Sequence, residues 1–201
     1  MTYNPARHHR QSMRLRGFDY SSAGAYFITL CTQNRVGLFG NIVDGSMVLN
    51  AAGQMVDVWW MALNQKFPGI QTDESVVMPN HFHGIIVINH HNVGADLCVC
   101  PNLDMENVTD RELPHSEDMG KHVGSPIPRV MQWFKAMTTN HYIRGVKENG
   151  WMPFEKRVWQ RNYYDHIIRS EVDLVRIQTY IRNNPASWHK DQLHPHIPSK
   201  W

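Results

Sequence analysis

The sequence predicts an α+β domain: an antiparallel sheet with helices on one face, and one further helix added near the C-terminus. Three observations predict it. Runs of β-branched and aromatic residues of strand length alternate with longer runs whose apolar residues recur at helical spacing. The order of these runs is strand, helix, strand, strand, helix, strand, helix. The 201 residues are 42% hydrophobic and 19% charged, enough to bury one real core and too little charge for a disordered chain.

Ala25-Tyr26-Phe27-Ile28-Thr29-Leu30-Cys31-Thr32, behind Gly24, is the first strand. Asn41 to Leu49 predicts a small hairpin turning at Asp44-Gly45. Asn50 can cap a helix over Ala51–Lys66, with Met55, Val56, Trp59, Leu63 and Phe67 on its inner side and Pro68-Gly69 ending it. Ile70–Val77 and Phe82–Asn89 form the next two strands, taken here as the central pair, joined through Met78-Pro79-Asn80. Residues 90–125 show no periodicity and predict a loop-like insertion. Pro126–Arg144 is a second helix with Pro128 in its first turn, stopping at Gly145. Val158 to Tyr164 predicts the fourth strand or its approach. Ser170, with Asp173 three residues on, caps a third helix over Glu171–Asn183 that ends before Pro185. The first six elements are those of a ferredoxin-like βαββαβ core. The chain is thus one domain, 1–201, with a basic arm at 1–19, the insertion at 91–125 and a tail at 186–201 lying across the body.

Charge narrows the class of partner. The insertion sets Arg111 and Lys121 against seven acids, a balance of −5 that leaves +7 on the rest of a chain whose net charge is +2. A basic body suits a phosphate-rich partner. Three cysteines make no disulfide framework and fit a reducing compartment. Met1 to Arg16 has no apolar core, so neither a secretory signal nor a membrane span is expected. Cys98-x-Cys100 does not have the usual zinc spacing.

Two constellations carry chemistry. In His81-Phe82-His83, at the start of a strand, the imidazoles share one face and Phe82 takes the other. Two imidazoles side by side make half a metal site, although a chain with thirteen histidines forms such triplets by chance. On the last helix, Tyr180 and Asn184 stand four apart and so on one face. By itself, Asn184 before proline is an ordinary helix end, and Tyr180 an amphipathic packing residue.

Taken together, Met78-Pro79-Asn80-His81-Phe82-His83-Gly84, then Trp159-Gln160-Arg161-Asn162-Tyr163-Tyr164-Asp165-His166, then Tyr180-Ile181-Arg182-Asn183-Asn184-Pro185 resemble the single-tyrosine HUH transposases, in the REP-associated tyrosine transposase branch. Gly17-Phe18-Asp19-Tyr20 followed by Gly24 to Thr29 resembles the start of that family. The likeness spans roughly 10–90 and 126–186.

The resemblance implies cleavage and rejoining of single-stranded DNA beside a hairpin, through a covalent 5′-phosphotyrosine. It implies Tyr180 as the nucleophile, with Tyr163 and Tyr164 as the runners-up. His81, His83 and Asn184 would hold Mg²⁺ or Mn²⁺, Asn184 standing where relatives often carry glutamine. A neutral ligand set leaves such an ion its full charge. The phenol, ordinarily near pKa 10, would become a better nucleophile near the ion and basic residues. DNA contacts are expected from Arg7, Arg10, Arg14 and Arg16 in the arm and from Arg129, Lys135 and Arg161 on the body, with Trp133, Trp151, Trp159 and Tyr163 available for base stacking. The protein would act in the cytoplasm at the nucleoid, as monomer or homodimer. Two other readings stay open: a metal-dependent phosphodiesterase that uses water, and a hairpin-binding protein without catalysis.

Overall fold

The structure, a computed structural model, describes residues 23–89 and 126–197. The expected arm with Arg7, Arg10, Arg14 and Arg16, the insertion at 91–125 and its cysteines lie outside the described residues. The elements are β1 (Gly24–Cys31), β2 (Gly40–Val43), β3 (Ser46–Leu49), α1 (Ala51–Met61), α2 (Leu63–Lys66), β4 (Ile70–Val77), β5 (His81–Ile88), α3 (Pro126–Glu148), β6 (Tyr164–Ile168) and α4 (Glu171–Asn183). A 3-10 turn at Pro185–Lys190 follows. The main sheet runs β4-β5-β1-β6 with every neighbouring pair antiparallel, the strand order of the expected ferredoxin-like core. The central pair is β5 and β1; β4, expected at the centre, is an edge. The β2–β3 hairpin stands apart and turns on Asp44 and Gly45, both at positive φ, as a two-residue hairpin turn requires.

Alternation along β1 and β5 divides the sheet into two faces. Tyr26, Ile28, Leu30, Phe82 and Ile86 face α1 and α3, where Trp60, Val130 and Phe134 complete a large apolar core. Phe82 lies 4.6 Å from the Trp60 ring and 5.7 Å from Phe134. A Cβ at Gly84 would stand 2.4 Å from the Trp60 ring, so a residue without one is what lets that indole lie on the strand. Phe27 and Ile85 face the other way, with Ile168 of β6, and receive Ile177 and Ile181 of α4. Helices therefore cover both faces, α4 by itself on the second.

A bulge in β4 fastens α4. The pairing with β5 slips between Thr72 and Ser75, leaving Asp73 and Glu74 as the irregular pair. Both reach α4: Gln178 Nε2 donates to Asp73 Oδ2 at 2.7 Å, and Arg182 Nε donates to Glu74 Oε1 at 2.7 Å. In a regular strand these consecutive side chains would point to opposite faces.

The caps stand where the sequence puts them. Asn50 Oδ1 accepts from Gly53 N at 2.9 Å, and Ser170 Oγ from Asp173 N at 3.1 Å. Three boundaries differ. The helix expected over 51–66 divides at Ala62 into α1 and α2. The α3 helix runs through Gly145 to Glu148; a Cβ at Gly145 would meet the Trp151 ring at 2.2 Å, so glycine serves packing at this position rather than ending the helix. The fourth strand begins at Tyr164, later than expected. Residues 158–160 instead extend past the end of β1, with Gln33 N donating to Val158 O and Gln160 N to Cys31 O.

Candidate functional site

The α4 face carries a cluster of buried polar residues. His81 and His83, with Cys31 and Thr29 opposite them in the β1 register, project from β5 on this side. Both imidazoles are buried, at 0% and 2% exposure, and their ring centroids are 4.6 Å apart. Burial draws the His81 pKa down to about 4 against the opposing pull of Asp191, with a smaller upward push from the Asn184 side chain. Burial, then His81, draws His83 well below the usual range. Both rings are neutral at pH 7, the state in which an imidazole nitrogen can bind a metal.

Each ring is held by its Nδ1. His81 Nδ1 lies 2.8 Å from Asn80 Oδ1, and His83 Nδ1 lies 2.8 Å from Thr29 Oγ1. The two Nε2 atoms are thereby turned toward α4, as in metal sites where an outer partner orients each ligating imidazole.

Three residues approach from α4 and the segment after it. Tyr180, 46% exposed, places its hydroxyl 3.3 Å from His83 Nε2 and its ring edge-on to Phe27. Asn184, at 2% exposure, caps α4 and donates from Nδ2 to Asp191 Oδ2 at 3.0 Å. Asp191 Oδ2 lies 4.0 Å from His81 Nε2. Ligand atoms of His81, His83 and Asp191 all fall within 4.8 Å of one another. Asp191 is absent from the sequence reading. It lies in a proline- and histidine-rich tail with no periodicity, and only the turn at 185–190 brings it back over the sheet.

The donor set fits a divalent cation. His81 Nε2 and Asn184 Oδ1 are both buried without a hydrogen-bond partner. Buried polar atoms are rarely left so, and an ion among imidazole, amide oxygen and carboxylate would satisfy both. The resemblance implied a neutral set; Asp191 adds a negative charge. It also alters the tyrosine. Burial first, then Asp191, pushes the Tyr180 phenol up to about 12, opposed by the nearby Asn184 side chain, and no basic residue contributes. The expected activation by neighbouring basic groups is not what surrounds Tyr180.

The other expected residues fall at several distances from this site. Tyr164 stands opposite Thr29 on β6, on the site's face but two strands from His83. Tyr163 packs against the core of the opposite face, and so do Trp133 and Trp151. Trp159 is 3% exposed and donates to Thr138 Oγ1 at 2.8 Å, which removes it as a stacking platform. Arg129 and Arg161 are exposed. Lys135 Nζ donates to Gln160 O at 2.6 Å and Arg161 O at 2.9 Å, bracing the segment before β6 with two of its three donors. Burial, then Arg157, lowers the Lys135 pKa to about 8.

Beside the site an open groove runs between the β2 side and the tail, lined by Gly37, Gly40, Pro79, Trp188, His194 and His196. The Trp188 ring lies 5.7 Å from His81. The turn leading into this region bends at Asn34 and Arg35, both at positive φ (57° and 56°). Such conformations cost a non-glycine residue about 1–2 kcal/mol and persist where surrounding contacts demand them.

No family model matches the chain. It is 40% identical over 192 residues, 96% of its length, to a protein of Haemophilus influenzae (strain ATCC 51907 / DSM 11121 / KW20 / Rd) described as uncharacterized, covering 97% of that protein. Among solved structures, it is similar to a REP-associated tyrosine transposase bound to a REP hairpin, at TM-score 0.47 and 17% identity over 96% of this chain and 91% of that one. A protein of Deinococcus radiodurans provisionally described as a transposase gives TM-score 0.39 and 18% identity, over 86% of this chain and 97% of that one. Among the described residues no helix is long and apolar enough to cross a membrane.

Proposed function

The chain belongs to one family with the Haemophilus influenzae protein, and we propose that its members are single-tyrosine HUH strand transferases that cut and rejoin single-stranded DNA beside a hairpin. One observation carries the reading most directly. Tyr180 Oη stands 3.3 Å from one ring of a buried His-x-His pair beside which lie an orphaned amide oxygen and a carboxylate. Of the three sequence blocks that resemble this family, the first and third supply His81, His83, Tyr180 and Asn184 to this cluster, and the second runs into β6, on the far side of β1 from β5.

His81, His83, Asp191 and Asn184 would hold a divalent ion, Mg²⁺ or Mn²⁺. Bound there, it would neutralise phosphate charge and polarise the phosphorus. Tyr180 Oη then attacks the phosphorus in line with the 3′ oxygen. The P–O3′ bond breaks, a Tyr180–O–P bond forms, and the phenol proton is matched by the one gained on the free 3′-hydroxyl. The phosphodiester energy stays in the phosphotyrosine, so rejoining needs no nucleotide triphosphate. The half-exposure of Tyr180 suits this role, since the ring is held by Phe27 and His83 with its hydroxyl aimed at the cluster while nearly half of the residue stays accessible to a strand. Arg129 and Arg161 supply exposed phosphate contacts, and the groove at Trp188 offers an aromatic face to an unpaired base.

A carboxylate rather than a base stands near Tyr180, which favours a second reading, in which the same ligands direct a water molecule and Tyr180 only positions the DNA. A labelled hairpin oligonucleotide with a single-stranded flank, incubated with Mn²⁺ and resolved under denaturing conditions, separates the two. A protein–DNA adduct is expected. Cleavage without an adduct supports water, and binding without cleavage that ignores both chelator and the His81→Ala change supports a hairpin-binding protein without catalysis.

A further inference from the structure

The hydrogen bonds around Asn80 decide something that the two histidines do not decide for themselves. Asn80 is buried at 1% exposure, immediately before the His-x-His pair. Its Nδ2 donates to Arg35 O at 3.1 Å and to Leu193 O at 2.8 Å. Both partners are carbonyls, which only accept, so the amide nitrogen must face them and Oδ1 must face His81 Nδ1. Oδ1 also only accepts. His81 must then carry its proton on Nδ1, and its Nε2 is a bare lone pair.

The alternative tautomer would place a proton on Nε2, where the orphaned Asn184 Oδ1 could accept it. It would also leave the bare Nδ1 against Asn80 Oδ1, lone pair to lone pair at 2.8 Å, or turn that oxygen onto two carbonyl oxygens. Either way the lost hydrogen bonds and the repulsive contacts outweigh one gained bond. The contrast with His83 is informative: its Nδ1 partner is the Thr29 hydroxyl, which both donates and accepts and so fixes nothing.

We propose that Asn80 is a positioning residue that locks His81 in the Nδ1–H tautomer and so presents Nε2 as a metal-binding lone pair. The same amide braces a second ligand. Leu193, whose carbonyl it holds, donates its own N–H to Asp191 Oδ1 at 2.6 Å. The left-handed turn at Asn34 and Arg35 then has a purpose, since it delivers the Arg35 carbonyl to Asn80. Three segments far apart in sequence, the 33–35 turn, the β5 start and the tail, meet on one side-chain amide. This inference rests on the metal reading of the site for its consequence, though not for the tautomer itself.

The test uses the full chain with ¹⁵N-labelled histidine, free of metal, and reads the imidazole nitrogens by long-range ¹H–¹⁵N correlation. His81 is expected to show a protonated Nδ1 and an unprotonated Nε2; a proton on Nε2 in the wild-type protein overturns the proposal whether or not any variant folds. In Asn80→Ala the Nε2–H form is expected to appear, with Mn²⁺ affinity, measured by calorimetry, down about 10–100-fold. A folded Asn80→Ala that keeps the wild-type tautomer and Mn²⁺ affinity also overturns it. Should the wild-type chain show the expected tautomer and bind no Mn²⁺, the metal reading fails while the lock stands.

Discussion

The two faces of the sheet share the same strands and have opposite economies. Toward α1 and α3, β5 contributes Phe82 and Ile86 to a closed core in which indole and benzyl rings meet edge to face. Toward α4 the intervening residues are His81 and His83, and around them lie buried polar atoms with no partner. The first face stabilises the domain. The second is covered by one helix, fastened by two isoleucines and two polar links to a β-bulge, and it holds in place groups that folding alone would not favour. A strand's alternation lets a single octapeptide serve both purposes without compromise, because a change on one face leaves the other's side chains in place.

The sharpest way to break this comparison is to remove one oxygen. Tyr180→Phe keeps the ring against Phe27 and is expected to reduce adduct formation by on the order of 10³-fold or more, read on denaturing gels, with the melting temperature close to wild type. Tyr164→Phe should leave the adduct within about twofold. The reverse pattern would move the nucleophile from α4 to β6 and dissolve the site as described.

Next comes a paired substitution on β5. Phe82→Ala should cost about 3–5 kcal/mol in chemical denaturation, the usual loss for a large aromatic in a packed core. His83→Ala should cost markedly less than that while lowering Mn²⁺ affinity by at least about 10²-fold. Equal stability losses would mean that the two faces are both structural.

Asp191→Asn tests whether the tail belongs to the site. It keeps the shape of the side chain and removes the charge, so the expected result is a fall in Mn²⁺ affinity of about 10-fold or more by calorimetry, with little change in unfolding. Unchanged affinity would return Asp191 to a capping role for Leu193 and Asn184.

The smallest effect concerns Lys135, on the core side. Its folded-state pKa of about 8 lies below the ordinary 10.5. Between these values the native state has released a proton that the unfolded chain still holds, so stability rises with pH across that window and falls back as pH drops through 8. Relative to Lys135→Met, the wild type should gain less than about 1 kcal/mol between pH 7.5 and 10.5, after allowance for solvent screening. A wild-type advantage that stays flat with pH would mean an ammonium left in water with an unshifted pKa, and one that shrinks would mean that the Gln160 and Arg161 carbonyls hold the charged form more strongly than burial opposes it.

Much of the architecture was legible because it is local. Strand alternation, the Asn50 and Ser170 caps and the Asp44-Gly45 turn each depend on neighbours within a few residues, and each stands where the sequence puts it. Gly145 was misread for the opposite reason: its role is set by Trp151 folding back onto α3, a contact that helix-ending rules do not contain. The same holds for Trp159, whose indole is consumed by Thr138 of another element.

The sequence by itself determined that His81 and His83 share a face, and that Tyr180 and Asn184 share another, since strand and helix periods are fixed by backbone geometry. That these two faces meet, at 3.3 Å, is decided only when α4 docks on the sheet through the bulge at Asp73 and Glu74. Asp191 and the Asn80 lock are wholly tertiary. A carboxylate in an unpatterned tail and an amide before a strand look like any others until the chain folds back and gives each a buried partner, because hydrogen bonds over a hundred residues of separation leave no period in the sequence.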